Sequence, residues 1–477
     1  MSWETVIGLE VHAQLKTQSK LFSATATRYG APPNSQASFI DAGLPGVLPV
    51  LNREAIQMAI RFGLAIEAEI NNFSYFERKN YFYPDLPKGY QISQYRRPII
   101  QHGHLAVLVP DGSEKMIIIE RAHLEEDAGK SLHDVKHEYT GIDLNRAGTP
   151  LLEIVTAPCL SSAKEAVAYL RTLHQLLRFL DICDGNMQEG SFRCDVNISL
   201  RPKGSATLGT RTELKNLNSF RFIEKAIVHE QFRHQDLLET GQPITQETRL
   251  YSPETDSTHS MRSKESEKDY RYFPDPDLLP IVINEHNLQM IKQTMPELPK
   301  SIRLRLQNNH NLLQDDIDFL ISSPALVTFF DAVIGKTKAS AKTLVNWLKG
   351  SYSAALKETG GSFNHPPVSA NQLACLLDHL ENHIISAKIA KTIFSQLMVE
   401  DTTVDDIIAR EGYQQIGDQA VLDEIIRNII EQYPQQAADY QAGKTKLLAF
   451  FVGKIMQETQ GKANPAHVNE LLRQYLK

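Results

Sequence analysis

A strict alternation of apolar and polar residues recurs in short segments of the chain, and this two-residue period constrains the fold most. In residues 7–15 every odd position is apolar, whereas Glu10, His12 and Gln14 are polar, and the segment Cys194–Leu200 alternates in the same way. Successive side chains of a β-strand point to opposite faces of a sheet, so each segment predicts a strand with one buried and one wet face. Such half-buried strands are typical of an antiparallel sheet.

Helical spacing of apolar residues organises much of the remaining sequence. Apolar residues three and four apart predict helices over 161–180 and 219–239, between the strand-like segments. After Pro296 the chain is rich in helical patterns and contains few strand-like runs. The sequence therefore predicts an α+β fold in three parts, which are a cradle domain built on a mainly antiparallel sheet with helices (1–293), a helical domain (294–402) and a small helical tail domain (403–477).

The polar faces of the predicted strands are rich in acids. Glu10 and His12 project from the same face about 7 Å apart, and His123 and Glu125 share a face further along the chain. If the strands belong to one sheet, their carboxylates converge in one cavity, which is stable only when cations or protons neutralise it. Oxygen ligands with one imidazole favour Mg²⁺ or Mn²⁺. The alternative is that each polar face simply contacts solvent.

Two segments combine cations, aromatic rings and turn residues, namely Arg78–Lys88 and Asp269–Pro276. Aromatic rings stack on nucleobases and Lys or Arg binds phosphate, so both segments are candidates for nucleotide contact. The alternative is a proline-rich connector whose rings pack on the core. The chain lacks the G-x-x-x-x-G-K-[ST] phosphate loop, because Leu124, Phe330 and Ala438 occupy the first-glycine position before its Gly-Lys-Ser/Thr triplets. Any ATP is therefore bound without such a loop.

Composition and charge exclude several classes of protein. The net charge is −7, and no segment approaches the roughly 20 apolar residues of a membrane-spanning helix. The N-terminal residues lack the layout of a signal peptide. None of the four cysteines, which are Cys159, Cys183, Cys194 and Cys375, forms a C-x-x-C pair. We therefore expect a cytoplasmic protein with reduced thiols and no membrane contact.

The C-terminal stretch from Tyr440 to Lys477 is basic, with six Lys or Arg residues against two Glu residues. A stretch of this kind can contact a phosphate backbone, and the alternative is a solvated helical face. The basic residues are Lys444, Lys446, Lys454, Lys462, Arg473 and Lys477.

Long strings throughout the chain resemble the B subunits of the bacterial glutamyl/aspartyl-tRNA amidotransferases. The strings are specific, and the similarity covers the whole chain. The C-terminal strings Gly453–Met456 and Gly461–Pro465 resemble the tRNA-binding tail of that family. The other matching strings are Val6–His12, Arg78–Asp85, Leu124–Lys130, Asp143–Leu151, Glu189–Asn197, Glu213–Ser219 and Asp269–Pro274.

The resemblance implies an ATP-dependent amidation of misacylated tRNA. The substrate is Glu-tRNA(Gln), Asp-tRNA(Asn) or both, and phosphorylation of its side-chain carboxylate creates a good leaving group. Ammonia then displaces phosphate, so the chain is expected to be part of a ligase that uses glutamine as amido donor. The chain lacks the Gly/Ser-rich serine–lysine signature of an amidase. The resemblance accordingly implies a heterotrimer with an amidase-type glutaminase A subunit and a small C subunit, and tRNA bound through the cradle and the tail.

The acidic cavity and the basic segments form the candidate site for this reaction. Phosphoryl transfer depends mainly on positioning and charge neutralisation, which a metal ion and cationic side chains supply. The predicted residues are Lys79, Lys88 and Lys215 for catalytic contacts with phosphate or the substrate carboxylate, Arg78, Tyr81 and Tyr83 for the nucleotide, and Glu10, His12, Glu125 and Glu153 for Mg²⁺, with Asp195 and Glu213 as further ligands in the same cavity.

One departure from part of the family concerns a cysteine-rich zinc site. Some members carry four cysteines between the first strand and a Gly-Leu-Pro-Gly segment, whereas Ser23, Thr25, Ser38 and Asp41 stand in the corresponding region here. We therefore predict that the chain binds no structural zinc. Metal analysis of a chelator-treated sample that has been reloaded with Zn²⁺ tests this expectation.

Two other functions fit parts of the pattern. A non-catalytic tRNA-binding scaffold predicts an inert acidic cavity, so that Glu125→Gln leaves amidation unchanged. A free-standing ATP-dependent ligase for small substrates predicts turnover without tRNA and without partner subunits. Amidation assays with and without tRNA and partner subunits distinguish these functions from the amidotransferase.

Overall fold

The computed structural model describes residues 2–136, 139–263, 267–413, 419–459, 463 and 465–476. The chain divides into two compact units, Met1–Pro299 and Lys300–Lys477. The described strands all lie in the first unit, together with helices, whereas helices alone follow it. The predicted α+β class is therefore confirmed. The finer predicted boundaries at residues 293 and 402 stay predictions.

The strands range from two to thirteen residues in length. In chain order they are β1 (Trp3–Gln14), β2 (Glu69–Ile70), β3 (Phe73–Ser74), β4 (Glu77–Asn80), β5 (Tyr90–Ser93), β6 (Ile100–Leu108), β7 (Glu114–Glu126), β8 (Lys130–Lys136), β9 (Tyr139–Asp143), β10 (Pro150–Thr156), β11 (Phe192–Pro202), β12 (Thr212–Lys215), β13 (Glu247–Ser252), β14 (Ser257–Ser263), β15 (Phe273–Pro274) and β16 (Ile281–Val282).

Nine of the described strands form the main sheet, in the order β14-β13-β12-β11-β1-β10-β7-β6-β2. Neighbouring strands are antiparallel, apart from the parallel pair β12 and β13. The first strand lies at the centre of the sheet, between β10 and β11. The alternating segment Cys194–Leu200 lies within β11 and pairs with β12. The prediction of a mainly antiparallel sheet is thus confirmed.

Two predicted helices begin at serine caps. The first helix of the chain, α1, is Arg53–Ala65. Helix α2 (Ala163–Phe179) follows Ser162, and helix α3 (Phe220–Glu239) follows Ser219. Each serine side chain accepts a hydrogen bond from a backbone N–H three residues later. Such a cap satisfies one of the unpaired N–H groups in the first helical turn, which explains why both helices begin where polar residues precede an apolar pattern.

Helices cover one face of the main sheet. Helix α1 packs on β6 and β7 and contacts α4 (Glu285–Gln293), while α2 packs on β6 and α3 packs on β11. Odd-numbered side chains of β1 such as Leu9 and Val11 are buried in the core beneath these helices. Burial of such a side chain contributes roughly 1.5–3 kcal/mol. The even-numbered residues of β1 therefore project from the opposite face, where a polar site can form.

A smaller sheet, β15-β4-β5, joins the two basic–aromatic segments. Phe273 of β15 lies opposite Arg78 of β4, and β4 pairs in turn with β5. The backbone N–H of Ile92 in β5 donates a hydrogen bond to Glu126 Oε1 at 2.9 Å. This bond fixes the small sheet beside the end of β7, where the predicted metal ligands lie.

The remaining helices follow the strands. The C-terminal ones share a core that includes Phe451, Ile455 and Leu472. Among the described helices, no single one is long and apolar enough to span a membrane. The helices at residues 314–320 and 324–334 meet both criteria only when they are taken together, and the pair is bent by 110° at the break between them. The helices are α5 (Pro299–His310), α6 (Gln314–Leu320), α7 (Pro324–Ile334), α8 (Ala341–Trp347), α9 (Ser353–Thr359), α10 (Ala370–Glu381), α11 (Ala387–Leu397), α12 (Val404–Glu411), α13 (Gln419–Gln432), α14 (Pro434–Gln441), α15 (Leu447–Glu458) and α16 (Pro465–Tyr475).

Candidate active site and metal centre

Strand register brings most of the predicted metal ligands together on the face of the main sheet opposite the helices. Glu10 of β1 lies opposite Asp195 of β11, and His12 lies opposite Glu153 of β10. Glu153 in turn lies opposite His123 of β7. Residues opposite each other in antiparallel strands have Cβ atoms about 4.5–5.5 Å apart. Four neighbouring strands therefore build one cluster of acids and imidazoles.

His12 lies at the centre of this cluster. Its Nε2 lies 3.4 Å from Glu153 Oε2, 3.6 Å from Glu10 Oε1 and 3.8 Å from Glu125 Oε1. His123 Nε2 lies 3.4 Å from the same Glu153 oxygen and 3.8 Å from Glu125 Oε2. The side chains of Glu125, Glu153 and His123 are at most 8% exposed. Two imidazoles and three carboxylates thus form one largely buried cluster.

The charges in this cluster shift one another's pKa. Burial alone would raise the pKa of Glu153, but His123 and His12 outweigh it and hold that pKa well below its usual range. The Glu153 carboxylate, with burial, raises the pKa of Glu10 to about 7. Burial acts to lower the pKa of each histidine, yet the surrounding carboxylates raise both values to about 9. The cluster therefore has a negative potential that attracts protons or cations.

The donor atoms of the cluster suit a divalent cation. Single donor atoms of His12, Glu125 and Glu153 lie within 4.8 Å of one another, and the same holds for Glu10, His12 and Asp195. Carboxylate oxygens dominate both groups, which is the donor set that Mg²⁺ and Mn²⁺ prefer. The residues present therefore fit the predicted metal.

The remaining predicted ligand, Glu213, is in neither group among the residues that the structure describes. Its carboxylate lies beside Lys215, with 3.7 Å between Lys215 Nζ and Glu213 Oε1, and it accepts a hydrogen bond of 2.7 Å from Thr248 Oγ1. Lys215 also donates a hydrogen bond to Asp195. Burial would lower the pKa of Lys215, but Asp195 and Glu213 raise it above its usual value. Lys215 thus joins the two acids, and metal ligation by Glu213 stays a prediction.

Lys79 lies beside the cluster among aromatic rings. Its Nζ lies 5.1 Å from the ring centroid of Tyr270 and 5.9 Å from that of Tyr81. Burial alone would lower the pKa of Lys79, but Glu125 and Tyr272 hold it well above its usual value. A positive charge therefore borders the acidic cluster.

Lys88 and Arg78 each have close acidic partners. Lys88 donates a hydrogen bond to Glu126, and its side chain is only 7% exposed. Arg78 donates to Asp275 Oδ2 at 2.9 Å and to Asp277 Oδ2 at 2.8 Å. These contacts favour a structural role for both cations. Their predicted contacts with phosphate and nucleotide stay predictions.

The two predicted nucleotide-binding tyrosines contact each other edge to face, with ring centroids 5.9 Å apart. The hydroxyl of Tyr81 donates to Gln91 Oε1 at 3.0 Å, and burial raises the pKa of Tyr81. Tyr83 is 46% exposed. Tyr83 therefore presents more ring surface for stacking, whereas Tyr81 forms part of the wall around Lys79.

Sequence reasoning missed two residues of the cluster. The spacing predicts that His123 shares a strand face with Glu125, but His123 is not among the predicted metal ligands. Arg193 lies opposite His12 in β11, and its Nη2 donates to Asp127 Oδ2 at 3.0 Å. The two-residue period could have identified His123, because the period fixes which face a side chain occupies. Nothing local pairs Arg193 with Asp127, which lies 66 residues away in the chain, just after the end of β7.

Known proteins support the family suggested by the sequence strings. The family described as GatB/GatE catalytic domain matches residues 5–289, and the family described as GatB domain matches residues 328–476. A protein of Legionella pneumophila (strain Lens) is 61% identical over 476 residues, and one of Coxiella burnetii (strain CbuG_Q212) is 53% identical over 477 residues. Each match covers 100% of both chains, and both relatives are named as the B subunit of an aspartyl/glutamyl-tRNA(Asn/Gln) amidotransferase. The chain belongs to this family of amidotransferase B subunits.

Proposed function

We propose that the chain is the subunit of a carbon–nitrogen ligase that activates and amidates the amino acid on Glu-tRNA(Gln), Asp-tRNA(Asn) or both. ATP is the co-substrate. The observation that carries the proposal is the cluster around His12, which combines oxygen donors for a cation with the adjacent charge of Lys79. Transfer of a phosphoryl group requires this combination of charge neutralisation and positioning.

The reaction proceeds in two steps. An oxygen of the tRNA-linked carboxylate attacks the γ-phosphorus of ATP, the bond to the bridging oxygen breaks, and ADP leaves. Ammonia then attacks the carbonyl carbon of the acyl phosphate. The carbon–oxygen bond breaks, inorganic phosphate leaves with the electron pair, and the nitrogen loses a proton to give the amide. Phosphorylation is needed because hydroxide is a far poorer leaving group than phosphate.

The acids of the sheet are the proposed binding site for the cation that neutralises the phosphates. Glu10, His12, Glu125, Glu153 and Asp195 would hold Mg²⁺, which supplies charge neutralisation for ATP and the substrate carboxylate. His123 holds the Glu153 carboxylate from the side opposite His12. A carboxylate held by His123 keeps its orientation, so the ligand geometry is set before substrate binds.

The lysines have separate proposed roles. Lys79 attracts the substrate carboxylate or a phosphate, because its positive charge lies among aromatic rings beside the cation-binding cluster. Lys215 orients Asp195 through a hydrogen bond and offers its charge to the same anions. Lys88 fixes the Glu126 carboxylate beneath the small sheet.

We further propose that the chain acts in a heterotrimer with an amidase-type glutaminase subunit, which supplies ammonia, and a small third subunit. The names of the relatives describe a subunit and two tRNA substrates, and an ammonia source is required by the chemistry. The basic tail is the proposed second contact for tRNA. Lys454 lies over the ring of Tyr433 with 5.3 Å between Nζ and the centroid, whereas Lys462 and Lys477 lie outside the described residues.

The substitution Glu125→Gln tests the proposal in the assembled complex. It removes one carboxylate from the cluster, so we expect ATP-dependent amide formation to fall by at least about 100-fold, the scale of loss for one stabilising group in a transition state. Binding of the misacylated tRNA should stay within about twofold of the wild type. Glu120→Gln, on the exposed part of the same strand, is the matched control and should keep full activity.

Two outcomes would contradict the proposal. Full amidation by Glu125→Gln would indicate a tRNA-binding scaffold whose acidic cluster is inert. Amide formation from free glutamate or aspartate, with tRNA omitted, would indicate a ligase for small substrates.

A further inference from the structure

A second cluster of metal-ligating side chains lies in the helical unit. Cys375 and His379 are four residues apart on α10, and Asp405 lies in the first turn of α12. One donor atom from each lies within 4.8 Å of the others. Residues four apart on a helix project from the same face, so the thiol and the imidazole face the carboxylate of the neighbouring helix together.

The two helices that carry the cluster are tied to each other. Ser369 and Gln372 form a reciprocal capping box at the start of α10. The same Gln372 side chain donates from Nε2 to the carbonyl oxygen of Thr402 at 2.8 Å, directly before Thr403 caps α12. This bond fixes the start of α12 relative to α10. The backbone therefore holds the three side chains near one another.

The orientation of the imidazole is also fixed. His379 Nε2 lies 2.7 Å from Asp405 Oδ1, whereas Nδ1 is buried and has no hydrogen-bond partner in the described structure. The contact with Asp405 is a hydrogen bond, so Nε2 offers its lone pair to a metal only after the proton between the two atoms is released to solvent. Ligand atoms of a tetrahedral site with bonds of about 2.0–2.3 Å are about 3.3–3.8 Å apart. Nε2 and Oδ1 are closer than this because they share a hydrogen bond, and a bound metal would replace the proton between them and move the two atoms apart.

Solvent reaches the cluster from one side. Cys375 and His379 line an open cavity of about 430 Å³, and the Asp405 side chain is 72% exposed. The nearby Asp378 is engaged elsewhere, since its Oδ1 accepts hydrogen bonds of 2.7 Å from Thr337 Oγ1 and from the Lys338 backbone. The cluster therefore offers three protein ligands and one open position.

We propose that Cys375, His379 and Asp405 bind one borderline divalent cation of the Zn²⁺ class. Thiolate and imidazole ligands select Zn²⁺ over Mg²⁺, and three protein ligands with water in the fourth position complete a tetrahedral site. The Cys375 thiol loses its proton to solvent when the metal–sulfur bond forms. This proposal departs from the prediction that the chain binds no structural zinc, which rests only on the absence of cysteines from residues 23–41.

Titration of the metal-free full chain with Co²⁺ tests the proposal. Binding through a thiolate produces a sulfur-to-cobalt charge-transfer absorption in the near ultraviolet, to which the carboxylate–imidazole cluster of the sheet cannot contribute. We expect this absorption to saturate at one Co²⁺ per chain and to disappear on addition of Zn²⁺. Cys375→Ser should abolish it, and His379→Gln should weaken Co²⁺ binding by at least about 10–100-fold.

Three controls separate ligation from folding and from the other cluster. Cys159→Ser removes another half-buried free cysteine, and Glu10→Gln alters the sheet cluster, so both should keep the absorption. Circular dichroism should show that Cys375→Ser retains its helical content. The proposal is wrong if the wild type shows no sulfur-to-cobalt absorption, or if Cys375→Ser keeps it. Neither result would bear on the proposed amidation.

Discussion

The pair of Lys20 and Asp41 shows how a single contact can anchor a loop-rich segment. Their side chains are 0% and 2% exposed, and Lys20 Nζ lies 2.8 Å from Asp41 Oδ2. Asp41 Oδ2 also accepts a hydrogen bond of 2.7 Å from the Ser38 backbone. Burial lowers the pKa of Lys20 even though Asp41 acts to raise it. An ion pair therefore ties Asp41 to the segment that follows β1, in the region for which we predict no zinc.

Removing one member of this pair should be costly. Lys20→Met leaves the buried Asp41 carboxylate without its counter-charge, so we expect the free energy of unfolding to fall by about 3–5 kcal/mol. Lys16→Met is the matched control, because the Lys16–Asp181 pair has the shorter distance of 2.7 Å but side chains that are 57% and 77% exposed. Breaking an exposed pair costs only about 0–1 kcal/mol.

Urea denaturation measures both changes. Trp3 and Trp347 lie in different units, so Trp3 fluorescence in a Trp347→Phe background follows the unit that contains Lys20. Equal, small losses for the two lysine variants would contradict the importance of burial at Lys20.

At the scale of secondary-structure elements, Glu230 joins α3 to the edge of the main sheet. Its side chain is fully buried and lies 2.8 Å from Arg233 Nη2 on α3 and 3.1 Å from Arg249 Nε on β13. Thr258 of β14 donates a further hydrogen bond. Burial would raise the pKa of Glu230, but hydrogen bonds from His234, Arg233 and Thr258 lower it to about 2. The helix is thus attached to two strands through one ionised carboxylate.

The stability of this attachment should depend on pH. Because the pKa of Glu230 falls from 4.5 to about 2 on folding, its ionised form stabilises the fold above pH 4.5, and this contribution is lost as the pH falls towards 2. Glu230→Gln should lower the thermal unfolding midpoint at pH 7 and flatten its dependence on pH in that window. Glu224→Gln, on the same helix and half-buried, is the control. If the unfolding midpoint of Glu230→Gln depends on pH as that of the wild type does, Glu230 does not stabilise the contact between α3 and the sheet.

At the scale of the whole molecule, the main sheet assembles residues from distant parts of the chain. The two-residue period predicted which face of each strand Glu10, His12, Glu125 and Asp195 would occupy, because side-chain direction along a strand is a local property. The order of the strands is not local, and β1 pairs with strands that begin at residues 150 and 192. The convergence of the acids was therefore a hypothesis until the register was known.

Pairs formed across long sequence separations escaped prediction for the same reason. Arg78 contacts Asp275 across 197 residues, and Lys88 contacts Glu126 across 38 residues. Both cations were predicted as ligand-binding residues from composition alone, since their segment is rich in rings and charges. The acids that neutralise them come from other elements, and local composition contains no information about such partners.

Oxygen-isotope transfer in the assembled complex tests the central claim most directly. Misacylated tRNA with ¹⁸O in both oxygens of the side-chain carboxylate is amidated with ATP, and the inorganic phosphate is analysed by mass spectrometry. Activation at the sheet cluster predicts one ¹⁸O in each phosphate released by the wild type and by Glu120→Gln, and little labelled phosphate from Glu125→Gln. Phosphate without ¹⁸O during full amidation would contradict the acyl phosphate, and undiminished labelling in Glu125→Gln would contradict the assignment of the cluster.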